Sequence, residues 1–498
     1  MGTKVNSNYE DLISFVRASG GGRATALRPV SYGDNELPSA SFEVIGTGTW
    51  DSLAFVDTVG SQVRPGVTSQ TSLTDGTTYA LFINITDITG ATQVRVDGLD
   101  GTDRLLGEGD HRISFASNGG TPRVRLEDTS TSVNDGFTLQ NALTAKEVTF
   151  DESDGTLTLF EHPENVPRIE YDADGNLLGL LIEEARTNLL TYSEDFTQSF
   201  YIKDSNVAVT SSNNTAPSGI SNASLITVSD NGRIYANNTS ITGVVSVFLK
   251  AGTFTNLKIK ANNVDLVAKT ASAGTLTEVG GGWFRYTSEE ATAARHFQIQ
   301  AYPDDTYSTH TQTGTYYIWG AQLEAGSFPT SYIKTTGSTA TRSADVASIP
   351  VADFGYNQSA GTVFVEADSK GSDGAKYPRL VDINNGSGNE RMAIWLHASD
   401  NIPRFKIDDN GVAQANISNG TLSVDVMQKY AADYNANDFA FSVEGNAVST
   451  DTTGTVPTVT TMFIGSNQSG INQLNGHIKS IKYFPRRLTN AQLVDLTS

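Results

Sequence analysis

The chain contains no cysteine. That excludes disulfides, zinc–thiolate sites and a thiol nucleophile. Positive charge is scarce as well: 34 Lys and Arg stand against 55 Asp and Glu, a formal net charge of -21, with no basic run to offset it. Nucleic acid and anionic membranes are therefore poor partners. The six histidines are scattered and form no His-x-x-x-His pair. No Gly-x-Ser-x-Gly elbow is present either, so a zinc site and a Ser–His triad both lack support. No apolar run approaches the ~20 residues of a membrane span, so no membrane insertion is expected. The N-terminus lacks the charged-then-apolar pattern of a secretory signal. Long amphipathic helices are missing; a short one is expected at TNAQLVDL (residues 489–496), capped by Thr489.

What the chain does have is rhythm. Short runs of Val, Ile, Phe and Tyr are broken by Gly, Asn and Asp, with 46 Gly in 498 residues. This patterning predicts an all-β protein of about three domains, built as sandwiches or barrels. PRIEY (residues 167–171) alternates apolar and polar side chains like a half-buried strand. DADGN (172–176) reads as a hairpin turn, and 177–182 as a buried return strand. Further turns are expected at Asp409-Asn410-Gly411 and Glu444-Gly445-Asn446.

Few residues are candidates for chemistry. Glu183 and Glu184 are neighbours on extended chain and point to opposite faces, so they cannot flank one bond. With Arg186 and Asn188 they are expected to pair with one another, or with backbone, at a domain junction. Glu366-Ala367-Asp368-Ser369-Lys370-Gly371 holds two acids of the Glu-x-Asp-x-x-Glu pattern used by laminarinase-like glycosidases, but Gly371 stands where the second Glu belongs. A solvated strand face is the expectation there. Asp172-x-Asp174 lacks the later positions of a calcium loop. No cofactor is expected; a structural calcium ion, if there is one, would fall at Asp304 and Asp305. In the strand 391–397, Met392, Ile394 and Leu396 share one face and belong to a core. Trp395 and His397 share the other, which is either a glycan-binding surface or the packing of a second layer. Tyr302 and Tyr307, flanking a polar loop, form a second candidate glycan-binding pair. No catalytic residues are assigned, and the protein is not expected to be an enzyme.

The run PRIEYDADGNLLGLLIEEARTNLL (167–190) resembles a sequence that recurs in structural proteins of tailed bacteriophages and related particles, just before a β-sandwich. ISFVRASGGGRATAL (13–27) resembles the opening strand of that family, and GTYYIWGAQLEAG (314–326) with its continuation to 346 resembles its exit. The Gly- and aromatic-punctuated strands of 37–143 resemble carbohydrate-binding-type jelly rolls. GTVFVEADSKG (361–371) and the closing segment 462–496 resemble the concanavalin A-like and laminin-G sandwich.

Together these imply five segments. Residues 1–36 are an N-terminal anchor and first wrapper strand, 37–143 an inserted jelly roll, and 144–190 wrapper hairpins. Residues 191–335 are a carbohydrate-binding-like jelly roll, and 336–498 a lectin-like domain. The resemblance implies a virion protein, assembled in the host cytoplasm and exposed on the particle surface as a tail or head fibre or spike. It would bind host surface polysaccharide without cleaving it. It would attach to other virion proteins through its N-terminus and self-associate as a homotrimer. The alternatives are a purely structural decoration or connector protein, and a polysaccharide depolymerase.

Overall fold

A computed structural model of the protein describes residues 14–16, 24–37, 42–45, 49–50, 53–56, 66–69, 72–74, 77–89, 93–97, 104–117, 123–128, 135–150, 155–163, 165–212, 214–236, 241–293, 297–371, 376–397, 400 and 402–498. The expected anchor at 1–12 and the glycine run 20–22 lie outside them.

The protein is all-β. Its strands form three two-sheet sandwiches, joined by a two-stranded ribbon. Among the described residues there is one α-helix, Asn490–Thr497, and Thr489 caps it together with Gln492 in a reciprocal capping box. The expected turns also form. Asn410 and Gly411 take φ of 53° and 74°, and Glu444 and Gly445 51° and 66°, the left-handed pair that a tight hairpin requires.

The first sandwich sets the sheet built on Ala24–Asn35, Thr78–Thr89, Thr144–Thr149 and Thr156–His162 against a five-stranded sheet, Phe42–Ile45 to Arg104–Leu106. Phe55, Leu81, Phe115, Leu126 and Phe137 fill the space between. The second pairs a sheet centred on Ile241–Ala251 and Thr313–Ala325 with one centred on Gln298–Tyr302. Its core includes Tyr286, Phe297 and Ile318. LKIKANN, which reads as one strand, is a hairpin here. Asn256–Ile259 pairs with Asn262–Asp265 around Lys260 at φ 55°, a turn made without a Gly or Asn signal.

The third sandwich draws strands from the whole chain. Ser14–Val16 pairs with Val346–Pro350 on one sheet. On the other, Ile169–Tyr171 and Leu177–Ile182 form a hairpin whose second strand pairs with Gly476–Phe484. Leu180 and Ile182 enter the core beside Val365, Ile394, Phe441 and Ile464. The hairpin that reads as part of a separate wrapper is thus bonded into the C-terminal sandwich. The first and second sandwiches are nested insertions in the third. The ends of the second meet in the ribbon Arg186–Asn188 with Ala340–Arg342, and those of the first meet where Ala24 pairs with His162. Insertion where two chain ends already lie side by side adds little closure entropy.

Where the insertions leave the third sandwich, the polar tail of the LLIEEARTN run is buried. Arg168, fully buried, donates to Glu183 at 2.8 Å, Ser331 Oγ at 2.7 Å, the Thr25 carbonyl at 3.1 Å and Asp345. Those partners come from all three sandwiches. Arg342 Nη2 lies 3.4 Å from Glu183 and donates to the Glu184 carbonyl at 2.7 Å. Burial would favour neutral Glu183, but Arg342 and Arg168 outweigh it and hold the carboxyl well below its usual range. Arg186 Nε donates to Glu184 at 2.6 Å, and Asn188 Nδ2 to the carbonyls of Ala321 and Ile333 at 3.1 and 2.9 Å. The four residues therefore pair at a junction, as expected from their setting.

Candidate functional site

The same junction opens into a cleft of about 490 Å³. Thr25 and Leu159 come from the first sandwich, Phe248 and Arg285 from the second, and Glu170 and His477 from the third. A second cavity of about 430 Å³ shares its Val279 wall and reaches Lys250 and Trp283.

The polar centre of the cleft is a His bridged by two acids. His477 lies opposite Leu181 in the Gly476–Phe484 pairing. Its Nε2 is 2.8 Å from Glu170 Oε2 and its Nδ1 is 2.9 Å from Asp368 Oδ2. Two local features bring Asp368 there. A register shift between Glu366 and Ala367 re-aims the end of the strand Ala360–Ala367. Gly476 supplies room, since a Cβ on it would sit 2.6 Å from Asp368 Oδ1. The His477 backbone N–H then donates to the same oxygen at 2.6 Å.

Burial would discharge His477, but hydrogen bonds and charge from Asp368 and Glu170 prevail and push it up to about 10. The ring is an imidazolium donating from both nitrogens. A pKa raised above the unfolded value of about 6.5 adds stability that is complete below that pH and lost as pH rises through about 10. Melting temperature should accordingly fall between about pH 6.5 and 10 in the native protein, and that slope should flatten in His477→Gln. An unchanged slope would remove the bridge as a contributor.

Arg285 supplies a donor to the same cleft. Its Nη2 donates to the Thr330 carbonyl at 2.6 Å and to Ser246 Oγ at 2.9 Å. The guanidinium stands 5.6 Å from the Phe248 ring centroid, it forms no ion pair among the described residues, and Nη1 has no partner there.

None of the four aromatic residues expected from sequence lines this cleft. Trp395 and His397 do gather, around Tyr377, on the outer face of the third sandwich. Trp395 stacks on Tyr377 at 5.0 Å and His397 meets it edge-on at 5.6 Å. Arg379, Arg391 and Lys406 stand 4.5, 5.6 and 5.5 Å from the Trp395 ring. Trp395 is only 8% exposed, so it is packed rather than open, and half-buried Tyr377 is the more accessible ring. Trp395→Ala should therefore cost about 3–5 kcal/mol, as large-to-small changes in packed sites do. A thermal melt within a degree of wild type would show the ring to be free.

Tyr302 and Tyr307 contact each other edge-on at 5.4 Å on the second sandwich, with Lys258 Nζ 5.5 and 5.9 Å from their centroids. Asp304 Oδ1 accepts from the Thr306 N–H and hydroxyl at 3.1 and 2.6 Å, closing its own turn. Among the described residues no group of three or more His, Asp or Glu is placed to hold a metal ion.

Asp368 is where sequence expectation and structure part. The expected solvated strand face is a half-buried ion pair, because its partner arrives from a strand more than a hundred residues away. The His-bridged pair had one trace in the sequence, the lone His of the closing GHIKSI segment.

Residues 341–494 match the concanavalin A-like lectin/glucanases superfamily. That fold, a lectin- and glucanase-type β-sandwich, points to carbohydrate binding. No curated protein matches the chain. Among solved structures, Trypanosoma rangeli sialidase is similar at 9% identity over 95% of this chain and 93% of that one, with a TM-score of 0.24. Its complex with sialic acid gives 10% identity over 97% of each chain and again 0.24. Likenesses at this TM-score carry no argument.

Proposed function

We propose that the protein binds glycans without cleaving them, and does so in the cleft between the three sandwiches. The observation that carries this reading is the cleft itself, with the half-buried Phe328 ring and fixed donors and acceptors beside a sandwich of the lectin superfamily. Sugars are held by this combination, an aromatic or aliphatic wall for the C–H face and convergent polar groups for the hydroxyls. Cleavage has little to work with. Asp368 is engaged by His477, and Gly371 stands where the broken motif would need its acid.

The phage-type motif at 167–190 supports a wider setting, a fibre or spike on a virion surface. Its N-terminus would attach to other particle proteins, and trimer symmetry would multiply weak sites into useful avidity. Incubation with purified surface polysaccharides tests the core of the proposal. The expected result is retention of the protein on the polysaccharide with no change in chain length by size exclusion. Chain shortening would make it a depolymerase, and no retention would favour a purely structural role.

A further inference from the structure

We infer that the cleft accepts glycans without acidic groups and turns polyanionic chains away. This rests on the glycan-binding reading above and adds the ligand class. Its basis is the charge of the walls.

Two of the wall carboxylates have cations of their own: Glu278 pairs with Lys269 at 2.6 Å and Asp425 with Lys370 at 2.5 Å. His477 supplies one positive charge to two carboxylates, Glu170 and Asp368. The Arg285 charge is offset by Glu324, a buried carboxylate held by Gln322 and Thr330 with no ion pair among the described residues. Asp172 and Asp174 line the cleft from the hairpin and have no cation among the described residues. Asp172 accepts from the Asp174 and Asn176 N–H groups at 2.9 and 2.8 Å, and from the Asn176 side chain at 2.9 Å. Those bonds outweigh its slight burial and keep it ionised.

The walls therefore carry net negative charge, on a chain whose total is -21. A neutral sugar turns this to advantage, because each hydroxyl donates and carboxylates only accept. Half-buried Phe328 offers an apolar face in the same cleft. A uronate or sulfated sugar would bring like charge to within a few ångströms of the wall.

The test is titration calorimetry with backbone-matched pairs: dextran against carboxymethyl dextran, and hydroxyethyl cellulose against carboxymethyl cellulose, in low salt. The neutral member of a pair should bind tighter by about fivefold or more. The gap should close near 1 M salt, where the screening length shrinks to about 3 Å. The double variant Asp172→Asn, Asp174→Asn should narrow the gap, the carboxymethylated member of each pair gaining relative to the neutral one. Thr277→Trp, at an exposed threonine of the cleft wall, should abolish binding without lowering the melting temperature. Tighter binding of the carboxymethylated members would overturn the inference and leave the glycan reading standing. Binding that survives Thr277→Trp would move the site elsewhere and overturn it as well. Failure of the wild-type protein to bind any member would remove the glycan reading itself.

Discussion

Arg168→Met should lower the unfolding free energy by about 3–5 kcal/mol, read as a drop in melting temperature and in denaturant midpoint. The side chain is fully buried and is ion-paired to Glu183 and Asp345 while donating to Thr25 and Ser331. Burial by itself would favour loss of its proton, but Asp345 and Glu183 raise its affinity for the proton further, so it stays charged. A methionine fills much of the same space but takes one cation away from two buried carboxylates, and removing one partner of a buried pair typically costs this much. Arg168→Lys should recover little, because one ammonium cannot reach partners on three sandwiches as a planar guanidinium does. Because those partners span the junction, the loss should show as earlier separation of the sandwiches, seen as limited proteolysis between them. A melt within a degree of wild type would mean that the sandwiches are held by apolar packing alone.

Residues 336–498 expressed alone should fail to give a cooperative melt, although they contain the whole superfamily match. Without Leu177–Ile182, the strand Gly476–Phe484 loses a neighbour and becomes a bare edge. Leu180 and Ile182 leave the core, each worth about 1.5–3 kcal/mol of burial. His477 loses Glu170. Several losses of this size exceed the margin of a typical domain. Joining residues 166–190 to 336–498 through a short Gly/Ser linker should restore near-ultraviolet dichroism and a cooperative transition. Residues 186–342 should fold without help, since their ends already pair, Arg186 opposite Arg342. A cooperative melt from 336–498 alone would show that the donated hairpin is an accessory.

Local features were legible in the sequence because they depend on near neighbours. The turn at 172–176 forms through Asp172 and its own following N–H groups. Thr489 caps its helix through Gln492, three residues on. In the Arg391–Leu396 strand, alternation assigned Met392, Ile394 and Leu396 to the core, where they lie. The expectation that the Glu183–Asn188 cluster pairs at a junction also came from local reasoning: charged groups beside a buried apolar run need partners.

Alternation tells which face a side chain takes, and is silent on which strand comes next to it. The partner of Leu177–Ile182 lies almost three hundred residues further along the chain, and no turn or propensity encodes that distance. So the nesting of two sandwiches inside a third, the meeting of Glu170, Asp368 and His477, and the cleft they share were decided by tertiary structure. Trp395 illustrates the same limit. Sequence placed it off the core face, and only the packing of Tyr377 and three cations around it made that face a buried one. The sequence by itself determined an acidic, cysteine-free, all-β chain with its turns and core faces, because those follow from composition and short-range periodicity. The order in which the strands join, and hence the site, follows from long-range burial, where each strand settles beside whichever edge completes a core.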